Sequence, residues 1–346
     1  MMWQEFLAQQ GAQISEQQDV QGCAAGWDSA ALQDGFIAAL NDLGLILASG
    51  EDAASFLHNQ LSNDVERLAT DEVRRAAYCS PKGRMLASFL YWKNADGVVL
   101  QLSKAIQPAV QKRLQMFVLR AKAKLSDFGA GRVLLGLGGA AAGASLQAWF
   151  PQLPAIDGKT DNQYGTLLRL ADANQTARYQ WIASAEIAQL AWPQLSATLK
   201  PVNTSAWRLT EIQAGIAQII AATQEQFVPQ MVNFELIGGV NFRKGCYPGQ
   251  EIVARSQYLG KLKRRMAIAE IATDEVTAGM EVFAASEPGQ PCGMIVNAER
   301  NGTVSSLVLV EIKLSDLEDG DIRLGSASGM ALRFQPLPYA ITDVTQ

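Results

Sequence analysis

The stretch Asn241-Phe-Arg-Lys-Gly-Cys-Tyr-Pro-Gly-Gln-Glu-Ile-Val-Ala-Arg255 stands where the character of the chain changes. Upstream of it, helical and strand patterns are mixed. After Gly260 only short strand patterns remain, separated by Gly, Asp and Asn. The stretch opens polar, with Gly245, Pro248 and Gly249, and this is loop chemistry. From Gln250 to Tyr258 the spacing predicts a helix with Ile252 and Val253 on its buried side. Cys246 then lies just ahead of a helix N-terminus. The partial positive charge there, with Arg243 and Lys244 beside it, would stabilise a thiolate. Such a setting suits a nucleophile, a metal or cluster ligand, or a redox-sensitive thiol. A cysteine packed in a loop under the β unit is the alternative of equal weight.

Charge is concentrated in the same place. Residues 243–265 hold Arg243, Lys244, Arg255, Lys261, Lys263, Arg264 and Arg265 against Glu251 alone. The strip is +6, so the rest of the 346-residue chain carries −11 to reach its net −5. It suggests an anionic partner: a carboxylated cofactor, an acidic protein or RNA phosphate. Lys261–Arg265 suits equally a basic edge strand that discourages edge pairing.

The flanking sequence divides into units. Downstream, Met266–Ile271, Met280–Ala284, Gly293–Asn297, Val304–Ile312 and Ile322–Leu324 read as strands, closed by Ala331–Leu337, so 261–346 is expected to be a small all-β unit. Upstream, 131–260 reads as an α/β unit, with strands such as Val133–Leu137 and Tyr179–Ala183 and a helix over Trp207–Ile216. Residues 36–130 form another. Here Ser49-x-x-Asp52 resembles a capping box opening a helix through Ala54, Leu57, Leu61 and Val65. Ser80-Pro81-Lys82-Gly83 is hairpin turn chemistry. Ile106, Val110, Leu114, Phe117 and Val118 mark the buried face of another helix. Residues 1–35, rich in Gln and Ala, are expected to form a loosely held arm.

Composition excludes several classes. The single His, His58, rules out sites needing two His ligands. Cys23, Cys79, Cys246 and Cys292 are far apart and form no C-x-x-C pair, so they read as reduced thiols of a cytoplasmic protein, and no metal site is expected. The start has no basic-then-apolar leader pattern, and Val133–Phe150 is too interrupted to span a membrane. Two further features have bland readings. Gly136-x-Gly138-x-x-Ala141, with Asp157 beyond it, formally fits a dinucleotide fingerprint, but in so Gly/Ala-rich a stretch it reads as packing glycines. His58 reads as a helix-flank or core histidine.

Lys244-Gly245-Cys246-Tyr247-Pro248-Gly249-Gln250-Glu251 with Arg255 resembles the K-G-C-Y-x-G-Q-E-x-x-x-R signature of the YgfZ family, folate-binding proteins related to the aminomethyltransferase (T-protein) of glycine cleavage. Phe227-Val-Pro-Gln230, Gly238-Gly239, Leu61-Ser-Asn-Asp64, Lys82-Gly83 and Pro336-Leu-Pro-Tyr339 extend the likeness over roughly residues 36–342. It implies an α+β, T-protein-like three-domain cloverleaf: two α/β domains, the first ferredoxin-like, and a C-terminal β-barrel around a central channel. It implies tetrahydrofolate or a folate derivative as cofactor. The implied role is accessory, in the synthesis or repair of iron–sulfur enzymes, among them a tRNA methylthiolation enzyme, so that tRNA is reached indirectly. Cys246, Lys244 and Arg255 would be the reactive group. Trp207, Gln213, Tyr247, Gln250, Glu251 and Asp64 would surround folate, with the Trp207 ring stacking on it.

The chain departs from that pattern at Gln213, where relatives often carry Glu, and at Leu43, where a relative has a second folate-contacting Trp. It shows no counterpart of the T-protein's catalytic Asp; Asp64 reads rather as bracing the channel. The rival readings are a folate-dependent, aminomethyltransferase-like one-carbon transferase acting on a small amine, and direct tRNA binding through 243–265.

Overall fold

The computed structural model of the chain describes residues 2–16, 18–23, 28–258 and 262–342. Three sheets face a common centre. The first is antiparallel, in the order Val73–Cys79, Met85–Asn94, Gly97–Ser103, Leu43–Ser49, Lys124–Asp127. The strand period of two splits its residues between two cores. Leu43 and Leu45 face the molecular centre, while Ile46 and Ala48 face a core that includes Leu57 and Leu114, from the helices Ala53–His58 and Gln107–Met116.

The second sheet runs Gly158–Asn162, Gly165–Ala173, Thr176–Ser184, Arg132–Gly138, Phe36–Ala39, Lys200–Val202, with only the last pair parallel. It changes the expected partition of the chain. Phe36–Ala39 pairs with Arg132–Gly138 in this sheet, Phe36 opposite Gly138, and takes no part in the first. The chain thus begins the second unit, leaves to build the first, and returns. The N-terminal segment is also more than a loose arm. Its helix Trp3–Gln9 sets Trp3 and Leu7, one turn apart, into the second unit's core, with Trp3 edge-on to Trp192 at 5.7 Å.

The third sheet, in the order Ile322–Leu324, Glu281–Ala284, Gly293–Arg300, Ser306–Lys313, Arg264–Ile271, Leu332–Gln335, curls into a half-barrel. A bulge between Ile295 and Asn297 helps it bend, and a bridge between Arg323 and Ala331 brings its two ends together. Among the described residues no helix is long and apolar enough to cross a membrane.

Three local expectations are corrected. The helix begins at Ala53, so Asp52 and not Ser49 is its N-cap residue, and the Asp52 carboxylate makes no capping bond but accepts the Lys122 amide at 2.7 Å. That helix ends at His58, and Leu61 and Val65 are buried beyond it. The helix carrying Ile106 and Val110 stops at Met116, which leaves Phe117 exposed.

The glycines of the formal dinucleotide fingerprint lie within the strand Arg132–Gly138, not in a strand-to-helix turn. A Cβ at Gly136 would overlap the Trp207 ring, and one at Gly138 would stand 2.5 Å from the Phe36 ring. They are bare so that two aromatic rings can lie against the sheet, and Asp157 is paired with Arg75 at 3.2 Å.

Candidate functional site

The motif loop is held by a seam of backbone contacts. Gly249, at φ +81°, lies so close to the Ser80–Gly83 turn that a Cβ there would be 2.7 Å from the Gly83 nitrogen. Gly83, at φ +72°, has the same relation to Ile252, 2.9 Å away. Ile252, expected inside, therefore covers that turn and is partly exposed. On the other side, the Ser62 hydroxyl donates to the Gly239 carbonyl at 2.6 Å and the Asn63 amide to Gly238 at 2.8 Å. The Asn241 amide donates to the Ser62 carbonyl at 2.9 Å. The scattered motifs Leu61–Asp64, Lys82-Gly83, Gly238-Gly239 and Lys244–Glu251 thus converge on one place.

Within it, Lys244 is buried and turned inward. Its ammonium donates to the carbonyls of His58 and, at 2.8 Å, Leu61, and it lies 4.8 Å from the Tyr247 ring centre. Burial pulls it down to about 8, against the opposing charges of Asp64, Cys246 and Glu66. Tyr247 is buried too, and its hydroxyl has no partner among the described residues. His58, bland in the sequence, belongs here. Its Nδ1 lies 3.2 Å from Asp64 Oδ1 and 4.0 Å from Glu66 Oε2, while its Nε2 faces Gly245, 3.7 Å from where a Cβ would be. Burial alone would raise Asp64; the Arg67 amide, His58 and the Arg67 charge outweigh it and hold the carboxyl low. Asp64 therefore braces His58.

Cys246 is exposed, whereas Cys79 and Cys292 are buried and Cys23 is half-buried. Burial pushes Cys79 up to about 12 and raises Cys23 and Cys292. Gln250 begins the helix Gln250–Tyr258, its amide donating to the Tyr247 carbonyl at 3.1 Å. Glu251 and Arg255 point to solvent and form no ion pair among the described residues. Arg255 is thus a surface cation near the loop and does not lock it.

The basic strip loses most of its force. Arg264 pairs with Glu311 (2.9 Å at its second contact), Arg265 is buried against Glu235, and Lys244 faces inward. Lys261 lies outside the described residues. Arg243, Arg255 and Lys263 remain exposed.

A separate cavity lies where the first two sheets meet the helix Thr204–Gln213. The helix Thr204–Gln213 places Trp207 and, one turn on, Glu211 against it; Leu43, Phe89, Gln101 and Gln180 come from the first two sheets. The Arg178 guanidinium lies 5.2 Å from the Trp207 ring centre and bonds Glu211 at 2.8 Å. Asp42 Oδ1, Gln101 Oε1 and Gln180 Oε1 are buried there without partners among the described residues. An adjoining space reaches Asn297 and Glu299 of the third sheet. Between the two, Arg208 binds Asp19 (2.7 Å), Asp42 (3.1 Å) and Glu299.

Gln213, expected at the ligand, instead donates to the Ser29 hydroxyl at 2.8 Å and does not line the cavity. Nor do Tyr247, Gln250, Glu251 or Asp64. The sequence reading missed Glu211, although its spacing from Trp207 puts both on one helical face. The structure thus separates the expected site into an inner cavity and an outer thiol loop. Phe234 joins them, lining the cavity and standing 2.8 Å through its carbonyl from a Cβ placed on Gly239.

This three-sheet arrangement has the fold of a glycine cleavage T-protein. The glycine cleavage system aminomethyltransferase T from Bartonella henselae matches 97% of this chain and 96% of its own, with a TM-score of 0.77 and 16% identity, which establishes the fold. In sequence, the chain is similar to proteins described as the tRNA-modifying protein YgfZ. It is 28% identical over 313 residues to the proteins of that name from Escherichia coli O7:K1 and Escherichia coli K12/DH10B, covering 88% of this chain and 93% of theirs. No family model matches it.

Proposed function

We propose that the chain is a cytoplasmic, tetrahydrofolate-binding accessory protein for the synthesis or repair of iron–sulfur enzymes, supporting tRNA modification through them. The observation that carries this reading is the central cavity, an indole beside three buried oxygens without partners. A buried polar atom left unpaired costs about 1–3 kcal/mol, so the cavity favours a ligand that supplies donors. The pterin end of folate is flat and bears several N–H groups. Trp207 would stack on it, while Asp42, Gln101 and Gln180 would accept its hydrogen bonds. The carboxylates Asp19, Asp42, Glu211 and Glu299 outnumber Arg75, Arg178 and Arg208 around the cavity and its adjoining space, which favours the ligand's anionic tail pointing outward.

Bound tetrahydrofolate would supply a carrier for one-carbon units. Cys246 does not line the cavity, so its exposed thiol is placed to meet a partner protein rather than the buried ring. Lys244 and His58 hold the loop that presents it. The T-protein fold keeps an aminomethyltransferase-like activity as the second reading, and it requires turnover of a small amine by the purified protein alone. Direct tRNA binding through 243–265 is the weaker reading: Arg264 and Arg265 are neutralised and Lys244 faces inward, which leaves Arg243, Arg255 and Lys263 as its exposed cations.

Titration calorimetry with tetrahydrofolate tests the central reading. The wild type and Cys246→Ala are expected to bind alike, and Trp207→Ala to lose binding. Absence of binding by the wild type would sink it. Normal iron–sulfur enzyme activities in a Cys246→Ala strain would remove the accessory role.

A further inference from the structure

We propose that the outer face of the helix Gln107–Met116 and the loop after it form a docking site for an acidic amphipathic helix of a partner protein. The proposal stands apart from the folate reading. In a chain of net charge −5, the segment from Lys104 to Lys124 contains Lys104, Lys112, Arg113, Arg120, Lys122 and Lys124 and no Asp or Glu. Unlike Arg264 and Arg265, these cations are mostly free. All except Arg113 are exposed, and only Lys122 has an ion pair among the described residues, with Glu51 at 2.8 Å on the surface. An occupant complementary to this surface is acidic.

The same face is apolar at one end. Met116 is 61% exposed, Phe117 47% and Leu119 88%. Leu119 stands at φ +39°, a backbone region that a bulky residue occupies only under strain. Large apolar side chains grouped in this way within a ring of cations mark a surface that is covered in an assembly.

The neighbouring strand decides the occupant's form. Lys124–Asp127 is an edge strand, open in principle to an added strand. The Gln115 side chain, however, accepts the Leu125 amide at 3.0 Å, and Gln111 reaches the Leu125 carbonyl at 3.5 Å. The edge is capped, so an incoming segment must bind through side chains. A groove between this helix and strand, lined by Lys104, Pro108, Lys112 and Met116 with one carboxylate, Asp127, at the strand's end, runs along the helix and receives a helix better than a flat membrane. Of the three exposed apolar side chains only Phe117 offers the stacking face that RNA recognition uses, whereas Met116 and Leu119 are aliphatic and suit the apolar side of a helix.

The test is fluorescence anisotropy of the full chain with a labelled helical Glu peptide carrying Leu at every third or fourth position. The wild type is expected to bind it, more weakly as salt rises. The double variant Phe117→Ser/Leu119→Ser and the variant Lys112→Glu should each lose roughly tenfold in affinity or more. All these residues are exposed, and an unchanged melting temperature confirms that the variants remain folded. Equal binding of the same peptide with Ser for Leu would reduce the site to charge attraction and overturn the proposal. So would no binding, unaltered binding by the variants, or displacement of the peptide by tRNA or by phosphatidylglycerol vesicles.

Discussion

His58 has no motif of its own, yet it lies against the start of the thiol loop, its Nδ1 buried without a hydrogen-bond partner among the described residues. Its carbonyl receives Lys244, its Nδ1 faces Asp64, and its Nε2 faces Gly245, the residue before Cys246. A base oriented by a carboxylate and set beside an exposed thiol raises that thiol's reactivity. Alkylation with iodoacetamide at neutral pH should therefore modify Cys246 first and Cys23 later. Cys79, pushed up to about 12 by burial, should react only on unfolding. His58→Gln should slow the Cys246 reaction several-fold; an unchanged rate would leave His58 with only its structural contacts. At the cavity, Trp207 is 2% exposed, so its truncation tests both binding and stability. Trp207→Ala should cost about 3–5 kcal/mol in urea unfolding. Trp207→Phe, which keeps a stacking face, should retain part of the tetrahydrofolate affinity.

Among elements, the seam between the hairpin turn and the motif loop carries the clearest expectation. Gly249 combines a left-handed backbone with contact against Gly83, whereas Gly238, at φ +74°, has open space around its missing Cβ. Gly238→Ala should cost about 1–2 kcal/mol from backbone strain alone. Gly249→Ala should cost clearly more and disturb the Cys246 loop; equal melting temperatures for the two would show that the seam yields freely. That turn was legible in the sequence, because Pro81 and Gly83 act locally. So were the strands of the third sheet, whose alternation comes from their own burial. The sheet to which Phe36–Ala39 belongs was not, since four apolar residues do not name a partner nearly a hundred positions away. The helix Trp3–Gln9, at seven residues, is too short for its period to register. Charge counting found the strip 243–265 but could not see Glu311 and Glu235, which neutralise it from distant strands. The cations of 104–124 were equally countable, yet their significance depends on exposure. At the candidate site, Cys246 was marked by the residues around it and Trp207 only by the family resemblance, whereas His58 and Glu211 acquire meaning only through neighbours supplied by the fold.

For the whole molecule, Arg208 is the tie. From the central helix it reaches Asp19 of the N-terminal segment, Asp42 at the entry to the first sheet and Glu299 of the third. Three carboxylates share one guanidinium, and burial outweighs its attraction, raising Asp42 and pushing Glu299 up to about 7. The sign follows from which state keeps the proton. Below the ordinary carboxyl value of 4.5, Glu299 is protonated in both the folded and unfolded chains. Between there and about 7 the unfolded chain releases its proton first, so rising pH draws the equilibrium toward unfolding. The interval corresponds to a loss of about 3 kcal/mol, complete once pH passes the folded value, and Asp42 acts in the same direction. Glu299→Gln keeps a hydrogen-bonding side chain beside Arg208 and removes the titration. Urea unfolding at several values between pH 4.5 and 8 should therefore show the wild type losing stability relative to Glu299→Gln by up to about that amount. Parallel profiles would mean that Glu299 titrates as it does in the unfolded chain, and that the tie between the three units holds without a shared proton.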